Sequence, residues 1–283
     1  MRQSIARVAL SSLAVVLLMR RSIATTALLG LAIVLSVAAA PSLAQSAKAT
    51  AAINTAVGCT VANADTLGTA PMTCHDIFSG ASVAVTPDNF VTVMKSPMKL
   101  SNSQSLFVSP SLVTGLYTNT TTKTRTGSTS SATAEGGVFM RAVLTDFNGT
   151  IVQIADPVAI CTNDILGCHA TASGVYGVVL DQRIQTLTQS ISACVVTVVV
   201  GGVTGSGTCT FDVTTQLILD TTSAHTFNFI FPNVGVGTYM VAIQVAVDAN
   251  ATVSGSGTAV GAAAFGLGSV TIESVRLVHD FSF

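Results

Sequence analysis

The sequence predicts an all-β protein: an antiparallel β-sandwich of two packed sheets with at most one or two short helices. Three observations carry that expectation. The first is alternation in residues 225–247, HTFNFIFPNVGVGTYMVAIQVAV. Phe227, Phe229 and Phe231 share one parity, and Tyr239, Val241, Ile243, Val245 and Val247 form a second alternating run. Between them Pro232-Asn233, Gly235 and Gly237 turn the chain, so the stretch reads as strand, corner, strand, with the three rings between two sheets. The second is composition: charged residues are only 9%, so Ser, Thr, Asn and Gln must supply the polar surface, as in exported β proteins. The third is six cysteines in three local pairs, Cys59/Cys74, Cys161/Cys168 and Cys194/Cys209, which read as disulfides in an exported chain.

The chain divides into three parts. Residues 1–44 have the layout of a secretory signal peptide: Arg20-Arg21, an apolar run from Ile23 to Ala40, then Ser42-Leu43-Ala44, with cleavage expected after Ala44. Met19 fits as the true start. A retained membrane anchor and twin-arginine export are the alternatives. Residues 45–80 read as a loose N-terminal arm and a disulfide loop, and 81–283 as the sandwich domain. Four of the 12 basic residues lie in the leader and all 13 acids outside it, which gives the mature chain a net charge of −5. That balance offers no footprint for nucleic acid or anionic lipid, and no membrane contact is expected of the mature chain.

Strands are expected at 81–85, 89–95, 105–109 and 111–118, with KSPMKLSNSQ as a turn because Pro97 discourages a ladder. The Ser/Thr-rich stretch 119–134 fits an exposed loop or a pair of edge strands. Val138, Met140, Ala142 and Leu144 mark one face of a strand that Asn148-Gly149 joins to 150–154 in a hairpin. Val175–Leu180 is a strand, and Gln182–Ile191 suits a strand or one or two helical turns. Cys194–Val200, CVVTVVV, reads as a buried strand. Cys194 and Cys209 are equidistant from Gly201-Gly202, so a two-residue turn there sets them face to face. Six cysteines allow 15 connectivities that sequence alone does not fix; this geometry favours nearest-neighbour pairing, in which each bridge would stabilise by about 2–3 kcal/mol. In Thr214–Ala224 a short helix competes with a strand, and near Ser274 a bulge is expected to swap faces between Ile272 and Val275.

Candidate chemistry is sparse. Cys74-His75 and Cys168-His169 lack the C-x-x-C-H spacing of covalent haem attachment. His75, His169, His225 and His279 form no ligand pair at strand or helix spacing, and Asp146, Asp156 and Asp164 lack a D-x-D-x-D arrangement. Ser256 lies between Gly255 and Gly257, but a nucleophile elbow needs glycine two residues to either side, where Ser254 and Thr258 stand. Glu135 and Glu273 are the only glutamates, so a two-carboxylate glycosidase site has few candidates. Without Trp, and with only Tyr117, Tyr176 and Tyr239, stacking platforms for sugars are scarce. A membrane barrel ending at Phe283 is disfavoured by 5% aromatics and by the disulfides.

The glycine-broken turn before Gly237-Thr238-Tyr239, with alternating valines after it, resembles the E–F corner of immunoglobulin-like sandwiches. The resemblance implies a sandwich that is immunoglobulin-like or jelly-roll-like, and a Tyr239 hydroxyl bonded back to the backbone before the turn. It carries no functional site.

The expected function is that of a secreted or cell-surface structural or adhesive protein without catalytic activity, cofactor or metal. Self-association or another surface protein would supply its partner. An extracellular carbohydrate-type binding module comes second and a secreted hydrolase third. An exposed apolar edge favours the first, a concave aromatic or acid-lined pocket the second, and converging titratable side chains the third. A pilin-like subunit whose arm, 45–58, completes a neighbour is a further alternative, weakened by the small side chains the arm offers.

Overall fold

The structure, a computed structural model, describes residues 49–79, 83–84, 89–165, 167–171 and 173–276. The expected signal peptide, Leu277, His279 and Phe281 lie outside the described residues.

The elements in order are β1 (Ala49–Asn54), β2 (Gly58–Asp65), α1 (Cys74–Ile77), β3 (Val83–Ala84), β4 (Val91–Leu100), β5 (Gln104–Arg125), β6 (Thr129–Thr145) and β7 (Ile151–Ile154). After a 3-10 turn at Val158–Ile160 come β8 (Cys168–Ala170), β9 (Tyr176–Ser190), β10 (Cys194–Val200), β11 (Val203–Cys209), β12 (Asp212–Thr226), β13 (Phe229–Val234), β14 (Gly237–Ser254) and β15 (Gly257–Val275). One sheet has the order β12-β5-β15-β2-β3, with β13 continuing the place of β12 on β5 and β1 that of β2 on β15. The other has the order β4-β14-β6-β9-β8, with β7 on β6. Strands β10 and β11 form a separate two-stranded ribbon. The expected all-β sandwich with almost no helix is what the chain forms.

Two connections cross between the sheets at one end: β5 to β6 through residues 126–128, and β14 to β15 through residues 255–256. This end is called the tip, the opposite one the base. In the base half the inward faces are large and apolar, with Leu106, Leu112, Met98, Met140, Leu144, Ile243, Ile272, Phe229 and Phe231 fully buried. Phe227, the third ring of the expected cluster, is partly buried and packs on Phe229 with centroids 5.0 Å apart. Residues 235–236 carry the chain from β13 in one sheet to β14 in the other. The Tyr239 ring covers Gly237 and its hydroxyl reaches over Gly235, so a Cβ at Gly237 would come within 2.9 Å of it.

In the tip half the inward faces are small or polar. Strand β5 contributes the buried Thr118, Thr120, Thr122 and Thr124; Ala132, Ala134 and Ala259 line β6 and β15. Here backbones almost touch: a Cβ at Gly136 would lie 2.5 Å from the Ala262 carbonyl, and one at Gly261 2.1 Å from that of Glu135. Only glycine permits that approach.

Several expectations are corrected. Residues 49–54 and 58–65, read as arm and loop, are strands of the larger sheet, held by antiparallel pairing with β15. The arm is therefore engaged within its own chain. Strand β4 runs through Pro97 because it is an edge strand, where a missing donor can face solvent. Strand β5 runs through Pro110 because the Pro110 carbonyl accepts from Phe227 N–H, so its nitrogen faces the gap between β12 and β13. The Ser/Thr-rich 119–134 is neither loop nor edge but the ends of two central strands with a turn between them. Thr214–Ala224 is strand, not helix, zipped along β5. The face swap in β15 occurs between Phe265 and Gly268, where one extra residue stands against β5, and not near Ser274.

Candidate functional site

The six cysteines pair as nearest neighbours, Cys59–Cys74, Cys161–Cys168 and Cys194–Cys209. Disulfides of this number indicate formation in an oxidising compartment. Gly201 and Gly202 have φ of 61° and 86°, the left-handed pair that a tight two-residue hairpin requires, and Cys194 stands directly opposite Cys209. The expected turn and its register are both present.

The environment of that hairpin departs from expectation. Val195, Val196, Val198, Val199, Val200 and Val203 are not buried but 47–73% exposed. The ribbon leaves the tip between β9 and β12. Its base is clamped to the β5–β6 turn, where Thr126 N–H donates to Phe211 O (3.2 Å), Phe211 N–H to Thr126 Oγ1 (3.0 Å) and Gly127 N–H to Ile191 O (2.8 Å). Residues 191–211 contain no charged side chain. Register puts Val196 opposite Gly207, Val198 opposite Gly205 and Val200 opposite Val203 on one face, with Val195, Thr197 and Val199 opposite Thr208, Ser206 and Thr204 on the other. The first face is apolar throughout, whereas four of the six side chains on the second carry hydroxyls.

Other edges carry protective features. Strand β4 bears Lys95, Pro97 and Lys99, β8 is three residues long, and β12 carries Asp212 and Asp220. Side chains from β9 also tie down β12, with Gln185 Nε2 donating to Leu217 O at 2.8 Å and Arg183 donating to Thr221 Oγ1. The ribbon has none of these features.

Behind it lies a polar seam that alternation alone did not locate. Thr118 Oγ1 donates to Gln185 Oε1 (2.8 Å), Gln185 Nε2 to Thr120 Oγ1 (2.7 Å) and Thr122 Oγ1 to Gln189 Oε1 (3.2 Å). The seam continues to Asp181, which accepts from Thr114 Oγ1 at 2.8 Å, and to His225, whose Nε2 lies 2.7 Å from Ser223 Oγ. A Ser, a His and an Asp thus meet, but Asp181 Oδ2 lies 3.5 Å from the same Nε2 that Ser223 contacts. A catalytic relay needs the carboxylate on the opposite ring nitrogen. The arrangement ties β12 to β9, with His225 Nε2 on Ser223 and Asp181 on that same side of the ring and not on its other nitrogen.

The remaining candidates are dispersed. His75 is on α1, and His169 is on β8, stacked on Phe139 at 4.8 Å and 3.6 Å from Asp164. The Asp146 carboxylate accepts the N–H groups of Asn148 and Thr150 in its own turn, and that of Asp164 accepts Ala170 N–H. Burial raises the pKa of Asp156. Glu135 accepts from Gln182 in one sheet while Glu273 stands in the other, and Ser256 N–H donates to Ser130 Oγ in the tip turn. Among the described residues no three His, Cys, Asp or Glu gather as a metal ligand set, and no helix is long and apolar enough to cross a membrane.

A groove of about 610 Å³ lies on the outer face of the larger sheet, beside the Cys59–Cys74 loop. Its amides largely serve each other. The Asn63 side chain bonds both backbone groups of Met72 at 3.0 Å, and Gln216 Nε2 donates to Asn119 Oδ1 at 3.1 Å. The Asp65 carboxylate takes Leu67 N–H, Gly68 N–H and the Thr69 hydroxyl.

No protein-family model matches the chain, and no curated protein is similar to it. The functional reading therefore rests on the geometry of this molecule.

Proposed function

We propose that the protein is an exported, non-catalytic structural or adhesive protein that works by surface contact through the ribbon Cys194–Cys209. The observation that carries this is the exposure of six valines on a preformed, uncharged, disulfide-closed hairpin at the free end of the sandwich. The four valines on the apolar face, Val196, Val198, Val200 and Val203, leave on the order of 370 Å² accessible, within the range of the largest apolar patch on an ordinary monomer, roughly 300–600 Å² and often functional. Secretion through a cleaved leader agrees with the disulfides, which need an oxidising compartment. Cells displaying the protein should be labelled by an impermeant amine reagent and should adhere to one another. Replacing residues 195–208 with a short Gly-Ser linker, by removing the valines, should abolish the adhesion without lowering display. Unchanged adhesion would overturn the reading.

A second reading, a binding module for a small polar ligand, is favoured by the groove beside Asn63 and Gln216. A Gln216→Ala variant should then lose binding in a glycan-array screen without loss of stability.

A further inference from the structure

Resting on that reading, we infer that the partner of the ribbon is a second copy of this chain, with the valine–glycine face of one ribbon packed on the same face of another. On this face Val196 and Val198 stand up as a ridge on β10, while Gly207 and Gly205 at the same heights leave a trough on β11. A Cβ at Gly207 would meet nothing within 4 Å, and one at Gly205 only a carbonyl at 3.9 Å, so the trough is open. A two-fold axis running along the ribbons lays each ridge over the other copy's trough, an isologous contact in which both halves are supplied by one sequence.

Chemistry selects this occupant over a lipid bilayer. Beyond Val200↔Val203 the hydrogen-bonded pairs of a two-residue hairpin fall on Val198↔Gly205 and Val196↔Gly207. The backbone groups of Val195, Thr197, Val199, Thr204 and Ser206 therefore face outward along both edges. Hydrocarbon cannot satisfy such groups, and seven residues per strand fall short of the roughly 9–11 a spanning strand needs. In a protein contact the edges stay in water while the apolar face is covered.

Area sets the strength. The valine–glycine face with its disulfide would bury on the order of 450 Å² per copy, about 900 Å² in total, in the class of weak and reversible interfaces. Association is then concentration-dependent, strengthened at a surface where many copies are displayed.

The test is sedimentation velocity on the exported protein with its disulfides intact, across a concentration series from about 1 to 500 µM. A reversible monomer–dimer equilibrium is expected. The double variant Gly205→Val/Gly207→Val fills the trough while adding apolar surface, and it should weaken dimerisation at least ten-fold. Val196→Thr/Val198→Thr, which keeps the ridge's shape but makes it polar, should do the same, with unchanged melting of both variants as the control for folding. A monomer at every concentration overturns the inference, as does a trough-filled variant that associates equally or more tightly, since that signals undirected apolar adhesion. Binding to phosphatidylcholine vesicles by a monomeric protein overturns it in favour of lipid. If the protein is monomeric but deletion of the ribbon abolishes cell adhesion, the pairing fails and the adhesive function stands. If deletion leaves adhesion intact, the functional reading itself fails.

Discussion

The two halves of the sandwich are made by the same strands but held by different forces. In the base half, β5, β6, β14 and β15 turn large apolar side chains inward, and burial of Phe229, Phe231, Met140 and Ile243 supplies the driving force. In the tip half the same four strands turn mainly Thr, Ala and Gly inward, the sheets close until backbones almost touch, and hydrogen bonds from the threonine hydroxyls to Gln185 and Gln189 replace bulk. A thin, fully satisfied polar interior contributes less to stability than an apolar one, but it fixes geometry. The difference points to a division of labour: the base supplies the apolar core, and the tip anchors the root of the solvent-exposed ribbon.

Substitutions should separate the halves in a graded way. Phe229→Ala, at a fully buried base position, should cost about 3–5 kcal/mol in chemical denaturation. A cost near zero would mean the base core is not the source of stability. In the tip, Gly261→Ala pushes a methyl into two carbonyls and should cost about 1–3 kcal/mol. Neutrality there would show that the sheets are not in backbone contact. Gln185→Leu strands the hydroxyls of Thr118 and Thr120 and should cost about 1–3 kcal/mol, most of it recovered in Thr118→Val/Thr120→Val/Gln185→Leu. If the triple variant is no better than the single one, the seam is not a mutually satisfied unit. Smallest of all, Val199→Thr on the ribbon should change stability by no more than about 0.5 kcal/mol.

What could be read from sequence follows the same division. The base was legible because alternation of Phe, Val and Ile against polar residues states which face is buried; turn chemistry located a corner before Gly237, although Pro232 and Asn233 form an irregularity within β13 and the break itself lies at Gly235-Val236. The hairpin at Gly201-Gly202 was legible from its dipeptide, and spacing favoured the pairing of Cys194 with Cys209 without fixing it among the 15 connectivities. The tip was not legible, because Thr118 to Thr124 and Ala132 to Ala134 offer no hydrophobic contrast between the two faces. Threonines that look solvent-facing lie inside because Gln185 and Gln189, over sixty residues away, provide their partners. The ribbon was misread for a related reason. A run such as Val198-Val199-Val200 specifies β backbone by its branching, but what covers a strand is decided by tertiary placement, and nothing in the described molecule covers this one. The small side chains of 49–54 likewise hid a strand whose pairing depends on β15.

The central claim is that the ribbon valines serve contact with a partner and not the fold. It is tested most directly by replacing Val195, Val196, Val198, Val199, Val200 and Val203 together with threonine, which keeps β-branching and removes the apolar surface. The measurement is the thermal unfolding midpoint of this variant beside that of the parent, with adhesion of displaying cells recorded for both. The account predicts an unchanged midpoint and lost adhesion. A lowered midpoint with adhesion retained would contradict it, because the valines would then be packing against their own chain.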